Sequence, residues 1–465
     1  MFRRFRRRCI PVNLPPPRGA ALIMKTRLIF KRTFAAFATG AISLASAQEP
    51  AVPESSTNSA MTLEALASEA VASNPELRFY EAQIAAARAG RRQAGVLENP
   101  GLSASVGAKR VSGAGASSEG IAWSASVLQS FELPGRLSLR KAIANGDIQL
   151  AELGLAQFKA ALAGRARVSG YKLFVAQEKA RATAEVANRL QELLDFLVQR
   201  DPAGIAPLLE TRIIEAGVVT FRKQAIEASE ALQSALFAVN RLRGRPLDTP
   251  LQVDAADVQL PPVPDREALL ESARRNNFDI RMRQVELEQQ GLKVELSRNQ
   301  RWPDIALGPT VSREEAGERE TVIGIGISLP LPIWNRNAGN IETEQARRQQ
   351  AETSLFLVQL EVEQSVLEQW LAYRLRKEEL DRWQPDAIQR FHQAADLGDR
   401  HYRLGSLPVA TYIELQREYL EALDSILSLK AEALESVQKL QVLTQTEPGR
   451  IAAAEARVTG GGGQE

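Results

Sequence analysis

The amino-acid sequence predicts a mainly helical protein with transmembrane β-strands, in which long coiled-coil-like helical hairpins accompany four strands per chain. Three observations lead to this fold class: strands with one apolar face, very long proline-free stretches, and a duplication that relates the two halves. Segment 324–341 brings the first two together, because an alternating strand ends there at two prolines and a charged, helix-forming stretch follows.

The strand that enters this segment has apolar odd positions and mostly small or polar even positions. Ile323, Ile325, Ile327 and Leu329 alternate with Val322, Gly324, Gly326 and Ser328. Stretches 102–109, 121–127 and 305–312 alternate in the same way. The outer face of a soluble sandwich would carry charged residues, whereas this second face is mostly Ser, Gly and Ala. The pattern favours strands of roughly ten residues in an outer-membrane barrel, with polar loops at 112–120 and 313–320.

The helical stretches are far longer than a globular domain needs. Residues 137–200 and 340–384 contain no proline, and we predict about sixty residues of helix after each of the two strand-to-helix junctions. Sixty residues of helix are ~90 Å long at ~1.5 Å per residue. In the last predicted helix the apolar positions are seven residues apart. They are Tyr412, Tyr419, Ile426, Ala433 and Leu440. This spacing predicts helices packed as in a coiled coil.

The duplication is visible as matches at a nearly constant offset. Segment 129–136 aligns with 329–336 at an offset of 200, and Asn74 aligns with Asn277 at 203. Pro100 and Pro303 keep the same offset of 203, while Gly204 and Gly405 are 201 apart. We therefore predict a first repeat at 62–250, a linker at 251–264 and a second repeat at 265–447.

The two ends of the chain differ from the rest in composition. Residues 1–47 hold ten Lys/Arg and no Asp/Glu, which leaves 48 basic and 56 acidic residues, a net charge of −8, in the remainder. This part is predicted to be a signal-peptide leader with its true start at Met24. A flexible lead-in is predicted at 48–61 and a disordered tail at 448–465. Since the basic excess belongs to the leader, a nucleic-acid partner is not indicated.

The sequence offers no catalytic site. The one cysteine, Cys9, lies in the leader, so thiol chemistry and a lipoprotein anchor are excluded from the mature chain. His392 and His401 are nine residues apart rather than four, so we interpret them as exposed or tip-packing residues and predict no metal site. No phosphate-binding or nucleophile motif is present, and no cofactor is predicted.

Residues 62–446 resemble the TolC-type outer-membrane efflux family. The most specific stretch is the second strand-to-helix junction, with Pro330, Pro332, Asn335, Arg336 and Gly339; the first junction contributes Pro134, Gly135 and Arg136. Both are similar to the cobalt-zinc-cadmium resistance branch of that family. The resemblance implies an outer-membrane location, a non-enzymatic role, and export of divalent heavy-metal cations.

The resemblance also implies partners. Each chain of a homotrimer would give four strands to a twelve-stranded barrel in the outer-membrane lipid and its helices to a periplasmic α-barrel. Four strands cannot close a barrel alone, so the residues themselves also require more than one copy. A periplasmic adaptor (membrane fusion) protein and a proton-driven inner-membrane RND pump would complete the system.

Within the family, acidic side chains just past the helix tips narrow the periplasmic end. This implies an aperture formed by Glu210 and Glu414, although Thr411 occupies one position that is acidic in the family. The predicted adaptor-docking tips are Ala203 and Gly204 in the first repeat and Arg403, Leu404, Gly405 and Ser406 in the second. Two alternatives stay open: the same duct serving drugs or organic solutes, and a periplasmic coiled-coil adaptor with a lipoyl-like domain.

Overall fold

The computed structural model describes residues 60–113, 116–200, 208–255, 258–383 and 386–447. The predicted leader and tail, with Met24 and Cys9, lie outside the described residues, as does most of the lead-in at 48–61. In the part of the chain that is described, no helix is both long and apolar enough to cross a membrane.

The described elements occur in the same order twice. The first series is β1 (Met61–Thr62), α1 (Leu63–Ser73), α2 (Leu77–Ala94), β2 (Gly101–Gly113), β3 (Ala116–Phe131), α3 (Arg136–Arg200) and α4 (Leu208–Arg243). The second is β4 (Val253–Asp254), α5 (Arg266–Asn276), α6 (Phe278–Asn299), β5 (Ile305–Ala316), β6 (Glu318–Ser328), α7 (Ala338–Arg382), α8 (Ala387–Arg403) and α9 (Val409–Thr444). Each series therefore contains two short helices, a β-hairpin and a long helical hairpin.

Side-chain caps set the starts of the short helices. Thr62 Oγ1 accepts a hydrogen bond from the Ala65 N–H at 3.3 Å, and Asp265 accepts one from Ala268 at 3.0 Å. Asn277 separates α5 from α6, and it caps α6 by accepting a hydrogen bond from the Asp279 N–H at 2.9 Å. Such caps satisfy backbone donors that a helix leaves unpaired at its start.

The same hydrogen bond ties the short helices to the end of the return helix in both halves. Asn74 Nδ2 donates to the Leu242 carbonyl at 2.9 Å, and Asn277 Nδ2 donates to the Leu443 carbonyl at 2.9 Å. The two asparagines are 5% and 2% exposed. We call these contacts the first joint and the second joint.

The four long strands form one antiparallel sheet in the order β2-β3-β5-β6, so β3 and β5 join the two halves and β2 and β6 are its edges. The register places Ser105 opposite Ser124, and Ser124 opposite Ser312. Ser105 and Ser124 Oγ atoms are 2.9 Å apart. The predicted polar face is thus a row of small hydroxyl residues across the sheet.

The other face carries the large apolar side chains and is exposed in the single chain. Val106, Ile323, Ile325 and Leu102 are between 75% and 80% exposed. Because side chains alternate along a strand, these residues share one face while the serines share the other. The alternation predicted from the sequence is confirmed.

The predicted strand lengths and loops are wrong. The strands run for 11 to 16 residues rather than roughly ten. Most of the predicted loops at 112–120 and 313–320 is therefore strand. Charged pairs stabilise these extensions: Arg110 of β2 pairs with Glu119 of the neighbouring β3, and Lys109 of β2 reaches past β3 to bond to Glu314 of β5.

The first long helix is continuous as predicted, whereas the second is not. Helix α3 covers 65 residues, but α7 ends after 45 and α8 follows as a separate helix of 17 residues. Trp383, which ends α7, has an extended backbone with φ −85° and ψ 135°. The sequence places Pro385 two residues later, and proline removes an N–H that a helix needs. The prediction of sixty continuous residues after the second strand is therefore wrong.

The core runs along the last helix. Tyr412, Tyr419 and Leu440 of the seven-residue repeat are buried. The largest apolar cluster joins Tyr412 and Tyr419 to residues of α3 and α4, and a second cluster joins Leu440 to residues of α5, α6 and α7. The linker packs against α7, where Tyr373 donates from its hydroxyl to the Pro261 carbonyl and Trp370 Nε1 donates to Pro264 at 3.0 Å. Coiled-coil-like packing of these helices is confirmed.

Candidate functional site

The second helix tip is a compact, hydrogen-bonded turn. Gly405 adopts φ +73°, in the left-handed region, and its N–H donates to the Tyr402 carbonyl at 2.8 Å. The Ser406 N–H donates to the His401 carbonyl at 3.0 Å. Glycine is favoured at such a helix C-terminus because a Cβ is disfavoured in this conformation.

The polar side chains of the tip bond to neighbouring residues, whereas its apolar side chain is exposed. Ser406 Oγ donates to the His401 carbonyl at 3.0 Å and lies 3.1 Å from His401 Nδ1. Arg403 Nε donates to Asp399 Oδ2 at 2.9 Å. Leu404, by contrast, is 80% exposed. The turn thus presents one apolar side chain on a rigid polar base.

A pair of stacked tyrosines supports this tip from behind. The rings of Tyr402 and Tyr412 lie 5.2 Å apart at an interplanar angle of 16°, and the Tyr412 hydroxyl donates to Asp399 at 3.2 Å. Burial, followed by the negative charge of Glu210, raises the pKa of Tyr402. Glu414, two residues beyond Tyr412, is exposed.

The two predicted aperture glutamates are exposed residues of the helices α4 and α9. Glu210 is exposed in the first turn of α4 and acts electrostatically on Tyr402. Glu414 pairs with Arg417 of its own helix at 2.9 Å. Thr411, also exposed, lies on α9 before Glu414. A ring of these carboxylates around an axis stays a prediction. The first predicted tip, Ala203 and Gly204, lies outside the described residues.

A charged cluster not anticipated from the sequence joins α3 to α8. His392 lies 3.7 Å from Glu185 Oε1 and 3.3 Å from Asp396 Oδ2. Among the described residues, these three donor groups come within 4.8 Å of one another, as a divalent cation would require. However, Arg189 bonds to both carboxylates, with Asp396 Oδ1 at 2.5 Å. The Arg189 guanidinium already forms an ion pair with each of the two acids, so the cluster is best explained as an ion-pair network between helices.

At the first strand-to-helix junction, Arg136 is the central residue. Its guanidinium, 8% exposed, bonds to Asp304, to Asn299 Oδ1 at 3.0 Å and to the Trp302 carbonyl at 2.8 Å. Pro134 accepts from Asn299 Nδ2 at 3.3 Å, and Gly135 provides the turn with φ +92°. The junction of the first half is therefore fastened to the start of the hairpin in the second half.

The second junction lacks this fastening within the chain. Pro330, Pro332, Asn335 and Gly339 are positioned by a turn in which Asn337, at φ 59°, donates from Nδ2 to the Ser297 carbonyl at 2.8 Å. Arg336, which corresponds to Arg136, is exposed and has no ion-pair partner among the described residues. The two predicted junctions thus have the same sequence features and different surroundings.

Comparison with known proteins agrees with this geometry. Residues 269–445 match the family described as outer membrane efflux protein. The cobalt-zinc-cadmium resistance protein CzcC of Cupriavidus metallidurans is 28% identical over 286 residues, which are 60% of this chain and 65% of that protein. The pyoverdine export outer membrane protein OpmQ of Pseudomonas aeruginosa is 25% identical over 402 residues, covering 80% of this chain and 83% of that protein.

Solved structures share the fold at low identity. The channel CusC superposes with a TM-score of 0.62 at 16% identity, covering 81% of this chain and 91% of that one. The Campylobacter jejuni outer membrane channel CmeC gives 0.64 at 15% identity, with 83% and 86% covered. The chain therefore shares the fold of these proteins, with long helices and a β domain.

The family match and the fold agree with each other. Residues 269–445 match the outer membrane efflux protein family, and the fold is similar to that of solved outer-membrane channels. This family consists of non-enzymatic transport ducts. The open alternative of a periplasmic adaptor is set aside, because the β elements are the four-stranded sheet of a channel subunit rather than a lipoyl-like domain.

Proposed function

We propose that the protein is the outer-membrane exit duct of a tripartite, proton-driven efflux system that exports divalent heavy-metal cations of the cobalt, zinc and cadmium class. Three chains would share one twelve-stranded barrel, continued by their helices as a periplasmic tube. The open sheet supports this assembly, because four strands cannot close alone and both edges lack a strand partner among the described residues. Export through the predicted leader at 1–47 belongs to the proposal.

One observation carries the choice of cargo: of the two relatives described above, the one with the higher identity, 28%, is a cobalt-zinc-cadmium resistance protein. Nothing along the described helices forms a metal-selective site of its own, since Arg189 already bonds to both carboxylates of the Glu185–His392–Asp396 cluster. The duct would be passive, and the pump would select the cation.

A second candidate cargo is an organic solute such as a siderophore. The observation that favours it is coverage, because the pyoverdine export protein aligns over 80% of this chain against 60% for the metal-resistance protein. The higher identity of the latter leads us to prefer metal.

The proposed partners are a periplasmic adaptor and an inner-membrane RND pump. Leu404, 80% exposed on a turn held by Gly405 and Ser406, is the anchor we expect the adaptor to contact, with Arg403 beside it. Ala203 and Gly204 would form the corresponding contact on the first tip. An exposed apolar side chain on a rigid turn is typical of a protein contact.

The experiment that tests the cargo is deletion of the gene followed by growth across zinc, cobalt, cadmium, nickel, copper and several organic toxins. We expect sensitivity to zinc, cobalt or cadmium together with raised cell-associated metal. Sensitivity to organic solutes alone would replace the metal proposal with the second candidate. Complementation with the unchanged gene is the control, and a strain lacking related ducts prevents substitution.

Glu210 and Glu414 are proposed to line the aperture, where threefold symmetry would produce six carboxylates. Such a ring attracts cations and restricts the opening. We expect Glu210→Ala with Glu414→Ala to raise single-channel conductance in planar bilayers and to weaken cation selectivity. The matched control is Glu230→Ala with Glu421→Ala, which removes two exposed glutamates of the same helices farther from the tip. Equal conductance in both double variants would remove the pair from the aperture.

A further inference from the structure

Helix α8 contacts two neighbouring helices in different ways. Its contact with α9 includes a buried hydrogen bond within the second hairpin, in which Gln416 Nε2 donates to the Ala395 carbonyl at 3.0 Å. Its contact with α3, a helix of the first hairpin, includes a group of charged side chains. We call this group the α3–α8 cluster, and its members are Glu185, Arg189, His392 and Asp396.

Both ring nitrogens of His392 face carboxylate oxygens. Nδ1 lies 3.3 Å from Asp396 Oδ2, and Nε2 lies 3.7 Å from Glu185 Oε1. A neutral imidazole has a single N–H, so it can donate to one acid while a nitrogen lone pair faces the other. An imidazolium has an N–H on each nitrogen and a positive charge that attracts both acids. The arrangement therefore suits the protonated ring better than the neutral one.

The charges of the cluster balance only when the ring is protonated. Arg189 pairs with Glu185 and with Asp396, and a guanidinium keeps its charge at every pH near neutrality. Two carboxylates and one guanidinium leave one net negative charge. Arg189 bonds to Asp396 Oδ1 at 2.5 Å, which leaves Oδ2 facing the ring. A proton on His392 supplies the cation that is missing.

The neighbouring helices α3 and α9 add no net charge at the ring. Earlier on α3, Arg181 and Glu178 pair with each other at 2.6 Å. On α9, the ring of Tyr419 meets that of His392 edge-on, with centroids 5.4 Å apart and an interplanar angle of 73°. Burial, followed by the negative charge of Glu185, raises the pKa of Tyr419, so its hydroxyl stays neutral.

Charges that flank the cluster on α8 itself are paired within that helix. Arg390 pairs with Asp386 at 3.0 Å, and Arg403 pairs with Asp399 at 2.9 Å. Among side chains, histidine is the one that ordinarily changes its charge between about pH 5 and 8. His392 is therefore the member of the cluster whose charge depends on pH near neutrality.

We propose that protonation of His392 fastens α8 to α3, and that this contact weakens as the pH rises toward neutrality and above. The stabilisation is present where the ring is charged, and it is lost as the pH rises through the range in which histidine releases its proton. This proton switch joins the two hairpins of one chain, so it operates whichever solute the duct carries.

The second helix tip is what this contact would position. Leu404 lies twelve residues after His392, roughly 18 Å along the helix at ~1.5 Å per residue, and directly follows the end of α8. A looser contact of α8 with α3 would therefore change how firmly Leu404 is held. This consequence rests on the adaptor contact proposed above, whereas the switch itself does not.

Amide hydrogen exchange of the purified full-length protein in detergent tests the switch. After correction for the intrinsic exchange rate, we expect protection of residues 387–403 to fall about two- to fivefold between about pH 5.5 and about pH 7.5. The effect is small because the ring and both acids are between 32% and 41% exposed. Residues 208–243 of α4 are the internal reference and should show no such fall.

His392→Gln removes the titrating group and keeps a polar side chain. In this variant, protection of residues 387–403 should be the same at both pH values. The matched control is His401→Gln, which replaces the other histidine of the chain, an exposed residue of the same helix. The control should keep the pH response of the unchanged protein.

Three outcomes would overturn the switch. They are an unchanged pH response in His392→Gln, no response in the unchanged protein, and an equal response in residues 208–243. None of them bears on the cargo, because growth of the deletion strain on metals is measured separately. Failure of the metal proposal would likewise leave the exchange result as it stands.

Discussion

The first and second joints use equivalent asparagines, Asn74 and Asn277, and differ in the residues beside them. In the first joint, Glu69 accepts hydrogen bonds from Arg243 at 2.9 Å and from Arg245 at 3.0 Å. In the second joint, the corresponding place holds Ser272, which donates to the Thr444 carbonyl at 3.1 Å and lies 2.8 Å from Thr446 Oγ1. In both halves the asparagine amide bonds to a backbone carbonyl of the return helix. An ion pair accompanies this bond in the first joint, and hydroxyl groups accompany it in the second.

This difference shows which part of a joint the fold requires. The asparagine amide satisfies a buried carbonyl at a helix end, and a buried carbonyl without a donor is costly. The polar groups beside the asparagine only have to form hydrogen bonds with one another, so they can be ionic in one joint and neutral in the other. We therefore expect the first joint to respond to pH more than the second.

The largest expected effect comes from removing the arginine of the first joint. Arg243, 9% exposed, bonds to Glu69 and to Asn240 Oδ1. Arg243→Met should lower the free energy of unfolding by about 3–5 kcal/mol, because it leaves Glu69 partly buried with fewer partners. Thr444→Val, at the corresponding position of the second joint, removes the hydroxyl that donates to the Leu440 carbonyl at 2.8 Å and should cost only about 1 kcal/mol. Denaturant unfolding in detergent measures both.

Equal costs for these two variants would contradict the division between ionic and neutral joints. Glu69→Gln with Arg243→Met serves as the control, since removing both charges should recover part of the loss.

A smaller and symmetric effect is expected from the asparagines. Asn74→Ala and Asn277→Ala should each cost about 1–3 kcal/mol, because each leaves a buried carbonyl of the return helix without its donor. Asn277 also caps α6 by accepting from Asp279 and Ile280, so its variant should lie toward the upper end. Hydrogen exchange of residues 63–73 and 266–276 locates the loosening. If either substitution left the free energy of unfolding unchanged, the two joints would not be equivalent.

The smallest expected effect is a difference in acid sensitivity. Burial raises the pKa of Glu69, but hydrogen bonds and charges from Arg243 and Arg245 outweigh it and hold the pKa below the ordinary value of 4.5. The folded pKa is therefore below the unfolded one, and the stabilisation is present above about pH 4.5 and lost as the pH falls through the folded pKa.

We expect amide exchange in residues 63–73 to accelerate on acidification more than in residues 266–276. Glu69→Gln should remove this difference at the first joint. Acceleration of both segments by the same factor in the unchanged protein would assign the effect to the whole fold instead.

Alternation within single strands made much of the fold predictable from the sequence. Ile323, Ile325 and Ile327 face away from the serine row as expected. The strand ends were not predictable, because the pairs that extend them join residues as distant as Lys109 and Glu314. Hydrophobic periodicity indicates which face of a segment is apolar. It does not indicate which distant charged residue forms an ion pair with that segment.

The candidate site was predictable only in part for the same reason. Gly405 was identified from its residue type and its place between two helical stretches. The stacking of Tyr402 on Tyr412 has no signal in the sequence, and Arg189 reaches Asp396 across 207 positions of the chain. The four-residue spacing of His392 and Asp396 was the visible signal that both lie on one helical face.

The odd-even division of the sheet has a consequence for how the gene can change. Deleting one codon inside β6 would rotate every later residue of the strand by half a turn, so that Ile325 and Ile327 would exchange places with Gly324 and Gly326. Loss of two codons keeps each side chain on its own surface. Length variation within these strands is therefore tolerated in steps of two, whereas the connections between strands accept single insertions.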